Sequence, residues 1–241
     1  MIRGLWLLVV VFVAVAAEPT SITPFSSSPP GTVFPTAWQP LLIPNLKPPE
    51  FTLVADEGRT VMRVRSVAAA GSFGHRLAVE PTERPILAWR WKVDRVLEKA
   101  DLLSKEGDDY AARVYVTFDV PESDLTITQR ARMAIAKLVY GAELPTAAIC
   151  YVWDNRNPVG TSVWNPYTDR VRLIVLKSGP AQAGQWAAES RDVEADFRAA
   201  FGDSWKKPTP RISGVAVSAD TDQTGESVTA WFGDLRLEAR R

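Results

Sequence analysis

Residues 86–94 of the chain read "ILAWRWKVD" and indicate the type of fold. Apolar side chains at Trp89, Trp91 and Val93 alternate with polar side chains at the positions that follow each of them. A period of two is typical of a β-strand with one face toward the core and the other toward solvent. We therefore predict a strand here, with its tryptophans pointing inward.

Residues 110–118, "YAARVYVTF", repeat this alternation, with Arg113, Tyr115 and Thr117 on the polar face. Further short runs of the same kind, bounded by Gly, Pro or charged turns, are residues 51–56, 60–67, 76–80, 148–154, 171–179, 211–220 and 227–238. Strands and helices do not alternate along the chain, which disfavours a doubly wound sheet. The pattern predicts a mainly β protein, an antiparallel β-sandwich.

Two segments have helical rather than strand spacing. Within residues 123–141, apolar side chains recur from Ile127 to Leu138 at helical intervals, and Gly141 follows as a stop signal. Within residues 192–202, Val193, Phe197 and Phe201 fall four apart. We expect two short helices appended to the sandwich.

The N-terminal region predicts export. Arg3 precedes an apolar run of signal-peptide length that ends in Ala14-Val15-Ala16, although an uncleaved anchor is the alternative. Residues 1–16 are interpreted as a signal peptide, 17–37 as a tether rich in Pro, Ser and Thr, and 38–241 as a single domain. The expected location is periplasmic or secreted, without membrane insertion after signal cleavage.

Charge and composition exclude several partners and chemistries. The chain has 28 Lys+Arg and 28 Asp+Glu, so it lacks the basic field that nucleic acid requires. One histidine (His75, expected to be partly exposed) and one cysteine (Cys150, expected to be buried) leave no usual zinc site and no disulfide. No G-x-S-x-G elbow or phosphate-binding loop occurs, and we assign no catalytic residue.

An acidic segment predicts a possible structural calcium ion. Asp220 and Asp222 precede Gly225 in the manner of a calcium loop, but Trp231 stands where such a loop has its bidentate Glu. The segment is interpreted as a hairpin loop between strands. Either it is simple turn chemistry, or Glu226 or Asp234 completes the oxygen ligands of a cation.

An aromatic and polar surface is the predicted ligand site. If Cys150 and Val152 face the core, Tyr151 and Trp153 share the opposite face with Arg113 and Tyr115. Aromatic rings stack on sugars while polar groups bind their hydroxyls. The predicted ligand-binding residues are Asp109, Arg113, Tyr115, Tyr151, Trp153, Asn155, Asn165 and Tyr167. The alternative is that the aromatic rings pack beneath the helices.

Four blocks, residues 107–118, 151–179, 189–202 and 212–238, together resemble a bacterial exported family, domain of unknown function 3047. The resemblance covers residues 38–238 and implies no activity. Residues 51–66, 87–94 and 230–238 are similar, more weakly, to strands of jelly-roll carbohydrate-binding modules. That likeness implies a jelly roll, with Asp234 at the place of a calcium-binding aspartate.

Three functions remain open. The leading hypothesis is a non-catalytic binding domain for a glycan or another cell-envelope ligand. The second is a polysaccharide hydrolase or lyase that uses carboxylates among Asp108, Asp109, Asp154, Asp169 and Asp220, since glycosidases need two within reach. The third is a structural partner domain in an envelope complex. The sequence carries no indication of oligomeric state.

Overall fold

The computed structural model describes residues 19–131 and 146–240. This part of the chain contains 13 strands: β1 (Trp38–Leu42), β2 (Glu50–Asp56), β3 (Arg59–Val67), β4 (Gly71–Val79), β5 (Ile86–Val93), β6 (Tyr110–Phe118), β7 (Ala147–Asp154), β8 (Ser162–Asn165), β9 (Thr168–Ser178), β10 (Ala187–Asp192), β11 (Ile212–Asp220), β12 (Ser227–Phe232) and β13 (Arg236–Glu238).

The strands form two sheets that pack face to face. A seven-stranded sheet has the order β1-β4-β11-β6-β7-β9-β8, and a six-stranded sheet has the order β10-β5-β12-β3-β2, with β13 also paired to β5. Every strand pair of the described chain is antiparallel except β7 with β9, which run parallel. The predicted mainly β sandwich is confirmed, with this one parallel exception.

The runs of alternating residues became strands close to their predicted positions. Three strands were missed: β1, which was interpreted as an extended surface segment, and the short β8 and β10. β1 is an edge strand bonded to β4 alone and contains Pro40. Proline is compatible with an edge because a missing N–H costs nothing where no partner strand follows.

The core lies between the sheets, and large aromatic side chains fill its centre. Trp91 of β5 packs on Trp153 of β7, with ring centroids 5.8 Å apart. Trp89 packs on Tyr151 at 5.3 Å. All four side chains are buried. The prediction that Trp89 and Trp91 point inward is confirmed.

The helix Val193–Phe201 matches the second helical prediction. Asp192 caps it by accepting a hydrogen bond from the Ala195 N–H at 2.9 Å. Its Phe197 packs on Phe118, with ring centroids 4.7 Å apart, so this helix joins the core. Of the other predicted helix, residues 127–131 are helical and the remainder lies outside the described residues.

The predicted tether is wrong for residues 19–37. Phe25 is fully buried, Ile22 is buried with it, and Phe25 packs on Trp38 at 4.4 Å. His75 is also buried rather than partly exposed, and its Nε2 accepts a hydrogen bond from the Thr23 N–H at 3.1 Å. Hydrophobic burial therefore fixes this Pro- and Ser-rich segment onto the sandwich. The predicted signal peptide lies outside the described residues.

The acidic loop is a connection between the two sheets and not the predicted hairpin. β11 ends at Asp220 in the seven-stranded sheet, and β12 begins at Ser227 in the six-stranded sheet. We call residues 221–226 the inter-sheet connection. Thr221 anchors it, since its backbone N–H donates to the Ala69 carbonyl at 2.9 Å.

Among the described helices, none combines the length and hydropathy needed to cross a membrane.

Candidate functional site

The predicted polar site centres on a buried guanidinium. Arg113 leaves the outer face of β6 and is only 3% exposed. Around it lie the carboxylates of Asp108, Asp109, Asp220 and Asp222, and we call these five residues the Arg113 cluster. The cluster sits where β6 begins, β11 ends and the inter-sheet connection starts.

A tight loop places the first two carboxylates. The Asp109 N–H donates to the Gly107 carbonyl at 2.7 Å, and that carbonyl also accepts from the Asp101 N–H at 2.8 Å. A Cβ on Gly107 would lie 2.6 Å from the Asp101 nitrogen, so only glycine permits this approach. The loop turns Asp108 and Asp109 inward immediately before β6, and both are buried.

Arg113 binds Asp220 with two hydrogen bonds. Its Nε donates to Asp220 Oδ1 at 2.8 Å, and its Nη2 lies 2.6 Å from Asp220 Oδ2. The pairing of β11 with β6 shifts register between Ser218 and Asp220, a bulge of the kind that re-aims a side chain. Arg113 also lies 3.7 Å from Asp108 Oδ1 and donates to the Asp108 carbonyl.

The cluster holds more negative than positive charge, and this changes its proton affinity. Burial raises the pKa of Asp220 to about 8, with Asp109 and Asp108 adding to the effect and Arg113 opposing it. Burial and the neighbouring Asp109 also raise the pKa of Asp222. The cluster therefore favours either a bound proton or a bound cation.

Three other predicted ligand residues border this cluster. Tyr115 accepts a hydrogen bond from Arg113 Nη1 at 3.1 Å. The Asn165 amide donates to Asp108 Oδ2 at 2.9 Å. Tyr167 is 54% exposed and donates to the Lys105 carbonyl at 3.0 Å. The structure thus brings Asp109, Arg113, Tyr115 and Asn165 together, with Tyr167 at the rim.

Tyr151 and Trp153 do not belong to this surface, so the prediction for them is wrong. Both lie in the core, and the Tyr151 hydroxyl donates to Asp196 at 2.7 Å. Arg113 pairs across the strands with Val152, and Tyr115 pairs with Cys150. The outer face of β7 therefore carries Cys150 and Val152, the reverse of the expected orientation. Cys150 is nonetheless buried, as predicted.

Asn155 lies away from the cluster and has a structural role. Its amide donates to the carbonyls of Leu97 and Ala100, at 2.8 and 2.9 Å. It also lines an open depression of about 400 Å³ together with Arg95, Val96, Glu98, Arg156 and Pro180. Glu98 is the only carboxylate in that lining, so the depression lacks the facing acids of a glycosidase.

Glu226 and Asp234 do not contribute to a cation site with Asp220, contrary to the prediction. Glu226 accepts from the Glu98 and Lys99 N–H groups, at 3.2 and 2.9 Å. Asp234 accepts from the Ser26 N–H at 3.0 Å and from its hydroxyl at 2.6 Å. Each carboxylate thus fixes a separate chain segment.

The remaining candidate carboxylates are dispersed. Asp154 is buried and accepts from the Arg156 and Asn157 N–H groups, at 2.8 and 2.6 Å, which closes a turn. Asp169 is exposed on β9. Of the five acids considered for hydrolysis, only Asp108, Asp109 and Asp220 lie together.

A second polar surface crosses the outer face of the six-stranded sheet. Trp231 of β12 pairs with Arg63 of β3 on one side and with Lys92 of β5 on the other. Trp186 directly precedes β10, whose Ala187 pairs with Trp91. We call Arg63, Trp231, Lys92 and Trp186 the tryptophan row. Both tryptophans are partly exposed.

Cations lie between and against the rings of the tryptophan row. Lys92 Nζ is 4.8 Å from the Trp231 ring centroid and 5.0 Å from that of Trp186. Arg90 Cζ lies 4.2 Å from the Trp186 centroid. A Cβ on Gly233 would lie 2.6 Å from Arg90 Cγ, so this glycine leaves the space that Arg90 occupies. The arrangement is a set of cation–π contacts.

The tryptophan row was not predicted as a site from the sequence. Alternation placed Lys92 on the outer face, but the register that aligns Lys92 with Trp231 and Arg63 joins strands distant in sequence. The only local signal was a tryptophan at 231 in an alternating run.

The fold and these two surfaces define a β-sandwich with one buried charged cluster and one aromatic face, without a recognisable catalytic constellation in the described residues. The chain belongs to the family described as "Protein of unknown function (DUF3047)", whose sequence profile matches residues 36–236. The predicted family resemblance is confirmed. A comparison with curated proteins finds no match.

Several solved structures are similar to this chain in the arrangement of their strands. The xyloglucanase domain of NopAA from Sinorhizobium fredii, solved with cellobiose, has 8% identity and a TM-score of 0.44, covering 89% of this chain and 100% of that one. A family 12 xyloglucanase from Bacillus licheniformis has 10% identity and a TM-score of 0.44, covering 93% and 100%. A family 30 carbohydrate-binding module from Clostridium thermocellum has 11% identity and a TM-score of 0.36, covering 93% of this chain and 95% of that one. At these values the likeness carries no functional argument.

Proposed function

We propose that this protein is an exported, non-catalytic domain that binds a glycan on the tryptophan row. The observation that carries the proposal is the placement of Lys92 Nζ at 4.8 and 5.0 Å from two partly exposed tryptophan rings on a sheet face. Indole rings stack on the apolar faces of sugars, and neighbouring cations and amides bind the hydroxyls.

The row is held rigid before any ligand arrives. The Trp186 indole N–H donates to Asp56 Oδ1 at 3.0 Å, and Lys92 forms an ion pair with Asp56 Oδ2. A side chain that is already ordered loses little conformational entropy on binding. This preorganisation supports a binding surface, because mobile aromatic side chains would have to become ordered on binding and the entropic cost would weaken the affinity.

Charge on this face favours an acidic sugar. Arg65 and Arg90 have acidic partners in Glu50 and Glu57. Arg63 forms no ion pair with the acids of the described residues, and its Nε is buried without a hydrogen-bond partner there. An unpaired guanidinium beside a tryptophan ring is suited to a carboxylated sugar such as a uronic acid.

The Arg113 cluster supports binding over hydrolysis because Asp109 and Asp220 are already committed within the fold. A retaining glycosidase needs two carboxylates about 5–5.5 Å apart on either side of the scissile bond. One oxygen each of Asp109, Asp220 and Asp222 lies within 4.8 Å of the others, but Asp109 is fully buried and Asp220 is bound by Arg113. Two of the three acids are therefore already held inside the fold, which disfavours their use on a scissile bond.

Edge strand β1 favours the partner-domain function as the second candidate. Leu41 and Leu42 are each 53% exposed on this strand, and Leu46 beyond it is 40% exposed. An edge strand with exposed leucines offers both backbone hydrogen bonds and apolar area to another chain. This candidate becomes the leading one if no glycan binds.

The experiment is a glycan array that contains neutral and uronic-acid polysaccharides. We expect the purified protein to be retained on an acidic class and Trp231→Ala to lose retention while keeping its circular dichroism spectrum. Trp164→Ala is the matched control, because Trp164 is an exposed tryptophan on β8 of the other sheet. A blank array, or equal retention of both variants, contradicts the proposal.

Export is a separate part of the proposal and rests on the apolar N-terminal run. Cell fractionation with N-terminal sequencing of the isolated protein tests it. We expect a periplasmic or secreted chain that begins after residue 16. A chain that stays in the cytoplasm with its first 16 residues intact contradicts it.

A further inference from the structure

Three carboxylates converge from separate parts of the chain. Asp109 comes from the loop before β6, Asp220 from the end of β11, and Asp222 from the inter-sheet connection. One oxygen of each lies within 4.8 Å of one oxygen of the others. Like charges at this separation repel strongly unless a positive charge lies among them.

The cations of the described chain do not balance this charge. With Asp108 included, the cluster has four carboxylates, and Arg113 is the one Lys or Arg within ion-pairing distance of any of them in the described residues. Arg113 is committed to Asp220 by two hydrogen bonds. Asp109 and Asp222 therefore lack a cationic partner of their own.

Asp109 provides an independent sign of a missing partner. Its side chain is fully buried, and its Oδ2 accepts from the Thr224 N–H at 2.7 Å. Its Oδ1 is buried with no hydrogen-bond donor among the described residues. A buried acceptor without a partner is costly, and in native proteins such a group requires an explanation. A bound ion supplies one.

We propose that Asp109, Asp220 and Asp222 bind a hard divalent cation, and that this cation is Ca²⁺. The three carboxylate oxygens lie within 4.8 Å of one another, close enough for one ion to contact all of them. Calcium accepts carboxylate oxygens at about 2.3–2.6 Å in flexible geometry. Magnesium requires a near-ideal octahedron and usually keeps several waters, so it is less suited to three carboxylates from separate chain segments.

The position of the site gives the ion a structural role. Asp109 directly precedes β6, Asp220 ends the neighbouring strand β11 of the seven-stranded sheet, and Asp222 belongs to the connection that leads to the six-stranded sheet. One ion therefore joins the two sheets at this end of the sandwich. The tryptophan row lies on the outer face of the other sheet, so the cation site is independent of the proposed glycan surface.

The test is calorimetric titration of CaCl₂ into the purified, chelator-treated protein, together with its thermal midpoint. We expect one Ca²⁺ per chain, a higher midpoint with Ca²⁺ than with chelator, and at least tenfold weaker binding in Asp222→Asn. Asp169→Asn is the control, because this aspartate is exposed and outside the cluster. The control should bind Ca²⁺ as the unaltered protein does.

Terbium luminescence provides a readout that needs no variant. Tb³⁺ replaces Ca²⁺ at oxygen sites. Tyr110, the first residue of β6, is the chain neighbour of Asp109. We therefore expect excitation of Tyr110 to sensitise Tb³⁺ luminescence, and added Ca²⁺ to abolish this signal by displacing Tb³⁺. Absence of binding heat with coinciding midpoints, or unchanged Ca²⁺ affinity in Asp222→Asn, overturns the proposal. Mg²⁺ binding as tight as Ca²⁺ binding overturns the assignment to calcium.

Discussion

The Arg113 cluster and the tryptophan row both combine charge with aromatic rings, yet they differ in accessibility. In the Arg113 cluster the guanidinium is buried over the Tyr110 ring, 4.3 Å from its centroid, and pairs with Asp108 and Asp220. In the tryptophan row the cations lie against partly exposed rings on an open sheet face. Buried charge is suited to a small ion, whereas an open aromatic face is suited to an extended ligand.

The same difference separates stability from binding. Residues of the cluster and core lose packing or charge pairing when they are altered, and the fold loses free energy. Residues of the row contact solvent on one side, so their replacement changes what the surface binds more than how firmly the chain folds. Variants of similar side chains in the two places test this distinction.

The largest difference is expected between two tryptophans. Trp153 is buried against Trp91, so Trp153→Ala should lower the free energy of unfolding by about 3–5 kcal/mol. Trp231 is partly exposed, and Trp231→Ala should cost about 1 kcal/mol or less. Urea denaturation followed by circular dichroism measures both. Equal losses would remove the distinction between core and surface rings.

A smaller effect is expected from Arg113→Lys. Lysine keeps the charge but cannot reproduce the two hydrogen bonds from Arg113 to Asp220, so we expect a loss of about 1–3 kcal/mol in the free energy of unfolding. Arg65→Lys is the control, since Arg65 pairs with Glu50 at the surface and should change by about 0.5 kcal/mol or less. Equal losses in the free energy of unfolding for the two variants would show that the two hydrogen bonds from Arg113 to Asp220 do not stabilise the fold more than a surface ion pair does.

The smallest effect concerns pH and the N-terminal segment. Burial lowers the pKa of His75 from its usual value, and the Thr23 N–H donates to the ring nitrogen that a proton would occupy. The unfolded chain therefore takes up a proton at a higher pH than the folded chain does. Stability conferred by neutral His75 is present above about pH 6.5 and is lost as pH falls through the lowered pKa.

A comparison with His75→Gln measures this effect. Glutamine offers an acceptor that does not titrate, so its thermal midpoint should fall less steeply from pH 7 to pH 5 than that of the unaltered protein. The single imidazole also gives one nuclear magnetic resonance titration. Parallel midpoints, or an imidazole pKa above the usual value, would contradict the burial argument.

Local alternation was sufficient to predict most strands and the faces that their residues share. It placed Arg113 with Tyr115, and Trp89 with Trp91, correctly. It could not say which face of β7 is inward, because "AAICYVWD" is apolar on both faces. All eight residues of β7 are buried, and a second apolar cluster covers its outer side. Only the tertiary packing decides that Tyr151 points into the core between the sheets and Cys150 points to the outer face.

The candidate sites were harder to predict than the strand faces, because residues distant in sequence form them. Asp109 and Asp222 approach each other across more than a hundred residues, and a β-bulge aims Asp220. Composition likewise misassigned residues 19–37, since a few apolar side chains such as Phe25 outweigh the proline and serine around them once a core is available. Spacing along the chain shows neither which distant acids converge nor which apolar side chains of a proline-rich segment become buried.

The most direct test of the account is calorimetric titration of the best-retained polysaccharide into the unaltered protein, Trp231→Ala and Trp164→Ala. We expect measurable heat and the same dissociation constant for the unaltered protein and Trp164→Ala. We expect at least tenfold weaker binding for Trp231→Ala, with a native circular dichroism spectrum. Equal affinity in Trp231→Ala would contradict binding on the tryptophan row, and loss of binding in Trp164→Ala alone would place the ligand on the seven-stranded sheet.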